Sequence, residues 1–149
     1  MLTFRRAIPG DAPQILEITR ESYQKWCAIL GREPMPMKAD YDHAVRHHII
    51  ELAFEDGRMV ALAETIPGER SLLIKSLAVR PEAQGQGLGK LLLKRVDDIA
   101  RELRLREVTL YTNKLFQANV DYYRRRGYVF DREEKISDGW VVHMSKSLA

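Results

Sequence analysis

Apolar positions change their period several times along the chain, and each change marks an element. Leu72 to Val79 (L-L-I-K-S-L-A-V) is short and almost continuously apolar, which predicts a strand covered on both faces. Arg80-Pro81 ends it, because proline cannot donate to a ladder. Leu88, Leu92, Val96, Ile99 and Leu103 then recur at helical spacing, with Lys94, Asp97 and Arg101 on the other side. Upstream, Leu2 and Phe4 alternate with Thr3 and Arg5 as in a first strand, and Pro9-Gly10-Asp11 turns the chain. Asp11, with Gln14 three residues on, predicts a capping box. Ile15, Leu16, Ile18 and Thr19 continue that helix, and a second helical piece runs through Tyr23, Trp26, Cys27 and Leu30.

Two prolines and a glycine within Gly31 to Met37 exclude helix interior. That loop is either a plain connector or, through exposed methionines, an adaptable binding surface. Asp40 to His48 predicts a short helix, and Asp56-Gly57 between Ile49–Glu55 and Met59–Thr65 predicts a hairpin. Glu107 to Thr112 alternates as a strand. Phe116 to Arg126 reads as a helix closed by Gly127 after a basic last turn. Tyr128–Glu133 and Trp140–Met144 are two final strands around Ser137-Asp138-Gly139. The order β-α-α-β-β-β-α-β-α-β-β predicts an α/β (α+β) sheet with helices on both faces, in a single domain over residues 1–149.

Composition narrows the classes. A formal charge of +3 suits an anionic ligand and is too small to argue for nucleic acid. The arginine groups Arg101, Arg104, Arg106 and Arg124 to Arg126 carry few interleaved aromatics, so they read as solvated faces. Cys27 is the only cysteine, which excludes an internal disulfide and a cysteine metal cluster. His43, His47 and His48 stand in no grouping that enforces metal geometry and read as surface or boundary histidines. No run approaches membrane-spanning length and the first residues hold no apolar signal core, so the expectation is a cytoplasmic protein without a membrane partner.

The chemistry sits where the central helix begins. Gly85, Gly87 and Gly89 leave that start almost bare of side chains, so free N–H groups and the positive end of the helix dipole face an approaching anion. A Walker loop needs a hydroxyl after Gly89-Lys90, where Leu91 stands, and a Rossmann fingerprint needs its third glycine one residue later. What does fit is Q-x-x-G-x-G at Gln84, Gly87 and Gly89, preceded by L-A-V-x-P at Leu77 to Pro81. Together with F-R-R-A-x-P-x-D-A (Phe4 to Ala12), L-Y-T-N (Leu110 to Asn113) and N-x-x-x-Y-x-x-x-G-Y (Asn119, Tyr123, Gly127, Tyr128), this resembles the GNAT superfamily of acetyl-CoA-dependent N-acetyltransferases.

That resemblance implies a mixed, mostly antiparallel sheet of six to seven strands flanked by about four helices and splayed at its central parallel pair. It implies acetyl-CoA as cosubstrate, no metal, and direct transfer to a small amine or peptide acceptor, with a homodimer as a possible assembly. By the same resemblance the backbone of Leu77, Ala78 and Val79 binds the pantetheine arm and polarises the thioester. N–H groups over Gln84, Gly85, Gln86, Gly87, Leu88, Gly89 and Lys90 hold the pyrophosphate, and the Asn119 side chain contacts the cofactor arm. Lys90 and Lys94 are further phosphate contacts or merely solvated lysines. Tyr123 matches the family tyrosine placed near the cofactor sulfur, with Tyr122 in reserve, and a phenol is a competent proton donor at neutral pH. The same tyrosine is alternatively a core residue.

The general base departs from the pattern. Relatives carry a carboxylate or histidine two or four residues before L-A-V, where this chain has Lys75 and Leu73. Glu64, on the preceding strand, is the remaining candidate, against the reading of a solvated edge glutamate. Lys75 would suit an acceptor carrying an anionic group. The alternative function is a non-catalytic acyl-CoA-binding or regulatory module.

Overall fold

The structure is a computed structural model that describes residues 1–148. In chain order the elements are β1 (Leu2–Arg6), α1 (Ala12–Leu30), α2 (Tyr41–His47), β2 (Ile49–Glu55), β3 (Arg58–Pro67), β4 (Ser71–Val79), α3 (Leu88–Glu102), β5 (Glu107–Asn113), α4 (Gln117–Arg125), β6 (Val129–Ile136) and β7 (Gly139–Ser147). Single 3₁₀ turns lie at Pro9–Asp11, Met35–Lys38 and Pro81–Ala83. The strands form one sheet in the order β1-β2-β3-β4-β5-β7-β6, antiparallel throughout except for β4 beside β5. Asp56 (φ 52°) and Gly57 (φ 84°) both take the left-handed conformation of the type I′ turn that the Asp-Gly pair predicts. No helix among the described residues is long and apolar enough to cross a membrane.

Two cores cover the sheet. On one face Leu92, Val96 and Ala100 of α3 pack with Leu72, Val108 and Met144, all fully buried. On the other, Ile15 and Ile18 of α1 and Tyr41 of α2 pack on Leu52 and Leu62. The sheet opens at its parallel pair. Pairing joins only Ser71–Ile74 to Glu107–Leu110, although β4 continues to Val79 and β5 to Asn113.

The cause of the opening is local. Against β3, Ile74 pairs with Thr65 and Ser76 with Glu64, so Lys75 is an extra residue in β4. A bulge adds twist and bends its strand, and here it ends the pairing with β5. It also resets which face each side chain meets. Leu72 and Ile74 before it, and Leu77 and Val79 after it, all belong to the α3 side, while Ala78 joins the α1 core. The even apolar run of β4 therefore does not mean cover on both faces: Lys75 is exposed, and Leu73, Leu77 and Val79 are half-buried.

Three local expectations change for stated reasons. First, α1 is one uninterrupted helix ending at Gly31 (φ 78°). The polar residues that blur its period have work to do: Glu17 (3.2 Å) and Glu21 (2.6 Å) accept from the Arg80 guanidinium, which is 4% exposed and also donates to the Met59 carbonyl. Second, Met37 is buried at 1% exposure and receives the Cys27 thiol at 3.6 Å, so of the two methionines only Met35 is exposed. Third, the Asp11 side chain makes no cap bond to α1. Its carboxylate instead accepts from Arg5 at 2.8 and 3.0 Å and from the Ile8 N–H at 2.8 Å.

Those bonds hold the Asp11 carboxyl below its ordinary value of 3.8, with the Arg5 hydrogen bond as the largest cause. A depressed carboxyl stabilises the fold above its unfolded pKa and loses that contribution as pH falls through the folded value. Asp11→Asn should cost about 1–2 kcal/mol at pH 7, an amount set by the half-exposed Arg5. The difference between the two proteins should vanish as urea titrations are carried from pH 5 to below pH 3.8.

Candidate active site

The start of α3 is built as an anion cradle. Gly85 (φ 80°) and Gly87 (φ 82°) are left-handed, a conformation that side chains other than glycine adopt with strain. Gly87 is the N-cap and no side chain caps the helix, so its first N–H groups point outward. Gly89 is needed for a different reason: a Cβ there would lie 2.2 Å from the Tyr122 hydroxyl. This cradle lines a cavity of 390 Å³ with Gln84, Lys90, Tyr122 and Arg126, whereas Gln86 and Lys94 lie outside that lining. Gln86 is exposed in the turn, and the Ala78 side chain belongs to the α1 core.

Arg126 was not foreseen as a site residue. Its guanidinium sits 3.8 Å from the centre of the Tyr122 ring and donates to the Tyr122 carbonyl at 3.3 Å, while its buried Nε has no partner. In sequence it is one of three arginines that close α4. Only the i,i+4 spacing from Tyr122 distinguishes it from its exposed neighbours.

A second cavity of 470 Å³ lies on the other side of the opening, between the segment from Leu30 to Ala44 and strands β4 and β5. Glu64 faces it at 3% exposure on β3, an interior strand, which removes the reading of a solvated edge residue. Its carboxylate lies 2.6 Å from His48 Nδ1. A carboxylate only accepts, so this contact puts the ring proton on Nδ1 and leaves Nε2 of a neutral imidazole as an acceptor. His48 is therefore a half-buried, partnered boundary histidine, while His43 and His47 are exposed with their rings 4.3 Å apart and tilted by 32°. The hairpin register held the signal: with Asp56-Gly57 as the turn, Ile50 pairs with Glu64, two residues past His48.

Tyr23, Leu77, Asn119 and Tyr123 line both cavities and mark where they meet. Tyr123 is buried, its ring edge-on to Tyr122 (5.4 Å) and Tyr128 (5.6 Å). Among the described residues nothing hydrogen-bonds its hydroxyl. Burial, and then the neighbouring Tyr23, Tyr128 and Tyr122, push the phenol well above its ordinary 10.0. Tyr122, the reserve candidate, points instead at Gly89. The Asn119 amide reaches the Thr112 hydroxyl at 3.5 Å. At the end of β4 the Val79 N–H donates to Ser22 Oγ at 3.3 Å, and the Val79 carbonyl accepts from Gln84 Nε2 at 3.0 Å. Lys75 donates to the Tyr111 hydroxyl at 3.2 Å. No cluster of histidine, cysteine and carboxylate among the described residues has the makings of a metal site.

A mixed sheet that opens beside a parallel pair, with a bare helix start below the opening, is an architecture with known relatives. The chain belongs to the acetyltransferase (GNAT) family, whose sequence profile matches residues 12–128. Among solved structures it resembles the PaiA N-acetyltransferase of Thermoplasma acidophilum in complex with coenzyme A, with a TM-score of 0.85 and 17% identity over 99% of both chains. It also resembles the ribosomal-protein-S18-alanine N-acetyltransferase of Escherichia coli (TM-score 0.76, 18% identity, 100% of this chain and 95% of that one). A third is YncA of Salmonella typhimurium, solved with its cofactor acetyl-CoA (TM-score 0.75, 19% identity, 100% and 95%). At these identities the likeness is one of fold. No curated protein matches the sequence.

Proposed function

We propose that this chain is an N-acetyltransferase that moves an acetyl group from acetyl-CoA to a primary amine within a ternary complex. The observation that carries the reading is the meeting of two cavities at Tyr123, one opening onto an anion cradle and the other holding the Glu64–His48 pair. The residues suit coenzyme A. Its pyrophosphate matches the uncapped N–H groups of α3 and the Arg126 guanidinium on the cavity lining, and its pantetheine amides match the backbone of residues 77–79, which β5 leaves unpaired. Ser22 and Gln84, now bonded to Val79, occupy the donor and acceptor that such amides would take.

When bound, acetyl-CoA supplies a thioester whose carbonyl carbon accepts the amine lone pair as its C–S bond breaks. Leu77 and Val79 orient that carbonyl through their backbone, and the cradle fixes the far end. His48, held by Glu64, takes one proton from the arriving ammonium so that the nitrogen is neutral at attack. Tyr123 gives its phenolic proton to the departing sulfur, and the second proton lost from nitrogen as the amide forms restores it.

The test is release of free thiol from acetyl-CoA against a diverse panel of amines. Turnover with any of them supports the reading. Binding of acetyl-CoA without turnover on any amine would instead identify a binding module. In a calorimetric titration Arg126→Ala should raise the Kd for coenzyme A about tenfold, or ~1.4 kcal/mol. It should also flatten the salt dependence of binding, as loss of a phosphate-facing charge requires.

A further inference from the structure

The second cavity also carries information about the acceptor, on the understanding that it is the acceptor site of the acetyl transfer proposed above. Its 470 Å³ lies within the range of small-molecule sites, about 300–1,000 Å³. Its walls are mainly apolar, with Leu30, Pro36, Ile74, Leu110, Phe116 and Val141 on the lining, and Ser76, Thr112 and Asn119 supply polar groups. The Tyr41 hydroxyl donates to the Pro36 carbonyl at 2.7 Å and holds the 34–36 segment as one side of the cavity. Trp26 stacks on Phe116 at 4.4 Å and ties α1 to the turn before α4.

The charges around it are few and mostly committed. Asp40 spends a carboxylate oxygen on the His43 N–H (3.1 Å), Arg32 pairs with Asp138 (3.3 Å), and Lys75 leans on Tyr111. His43 is exposed at the mouth. Glu64 is thus the one buried carboxylate facing the cavity, and Arg32 and Lys75 are both cationic. One ammonium finds a counter-charge beside His48. A second ammonium on the same molecule would find no second buried carboxylate, since the other carboxylate on the lining, Asp40, is exposed at the rim, and burying an ammonium unpaired is strongly unfavourable.

We propose that the acceptor is a primary monoamine carried on an apolar body of about ring size, an arylalkyl or branched alkyl amine. Polyamines are disfavoured because the cavity offers no second buried carboxylate, and peptide N-termini because they lack the apolar body its walls cover. The experiment compares kcat/KM in thiol release for 2-phenylethylamine and isopentylamine with that for spermidine, putrescine and an alanine-initiated tripeptide. The apolar monoamines should exceed the others at least 100-fold. Met35→Glu, an exposed position at the cavity lip, adds a carboxylate and should shift the phenylethylamine-to-putrescine ratio toward the diamine by tenfold or more. Preference for spermidine or the tripeptide, or a ratio unmoved by Met35→Glu, overturns this assignment while leaving acetyl transfer standing. Absence of turnover on every amine overturns acetyl transfer itself.

Discussion

Tyr123→Phe should lower kcat about 100-fold at pH 7 while leaving the Kd for coenzyme A within about twofold, the scale expected when a positioned proton donor is lost. The substitution is unusually clean because the hydroxyl has no hydrogen-bond partner to abandon. Phenylalanine keeps the edge-on contacts with Tyr122 and Tyr128, so the melting temperature should stay within a few degrees. It is the Tyr128 hydroxyl that is enclosed without a partner, whereas the Tyr123 ring is buried but lies on the lining of both cavities. Because its pKa is raised above 10.0, the phenol remains a donor across the neutral and mildly alkaline range. Loss of wild-type activity below pH 10 should therefore not follow tyrosine ionisation. A kcat within threefold of wild type would remove Tyr123 from the mechanism.

The second large effect is expected at the pair beside it. Glu64→Gln should reduce kcat/KM about 1,000-fold, as much as His48→Ala, and the double variant should be little worse than either, because residues that act as a unit are not additive. The glutamine has the size of the glutamate but can donate. An amide N–H aimed at Nδ1 would move the ring proton to Nε2 and abolish the acceptor that faces the cavity. Both single variants should keep the wild-type Kd for coenzyme A and lose kcat/KM, whereas a purely structural role for the pair would lower stability and weaken binding as well. Multiplicative losses in the double variant would show that the two side chains act separately.

Much of this is legible in the sequence. The periods of β2, β3, α3 and β5, the Asp56-Gly57 turn and the glycines of the cradle are local properties. Each depends on backbone conformations and side-chain alternation that a few consecutive residues impose. The GNAT resemblance rested on the same short segments and anticipated the splayed sheet. Reading failed where a residue's role depended on one far away. The polar face of α1 looked like a break because its partner, Arg80, is 59 positions from Glu21. Asp11 looked like a cap until Arg5 reached it first. Among three adjacent arginines, nothing in the string marked Arg126 as the one turned inward.

The sequence alone therefore determined the cradle: a strand, a stop, and a helix start stripped of side chains, all within 30 contiguous residues, where the local backbone sets the geometry and needs no distant partner. Tertiary structure decided the second cavity. The extra residue at Lys75 is visible only against the register of β3, and it is that bulge that opens β4 from β5. Glu64 and His48 come from different elements, and only the pairing of β2 with β3 sets them 2.6 Å apart. Side-chain chemistry at a junction requires the fold to bring the side chains together, and a reading along one chain cannot supply that distance.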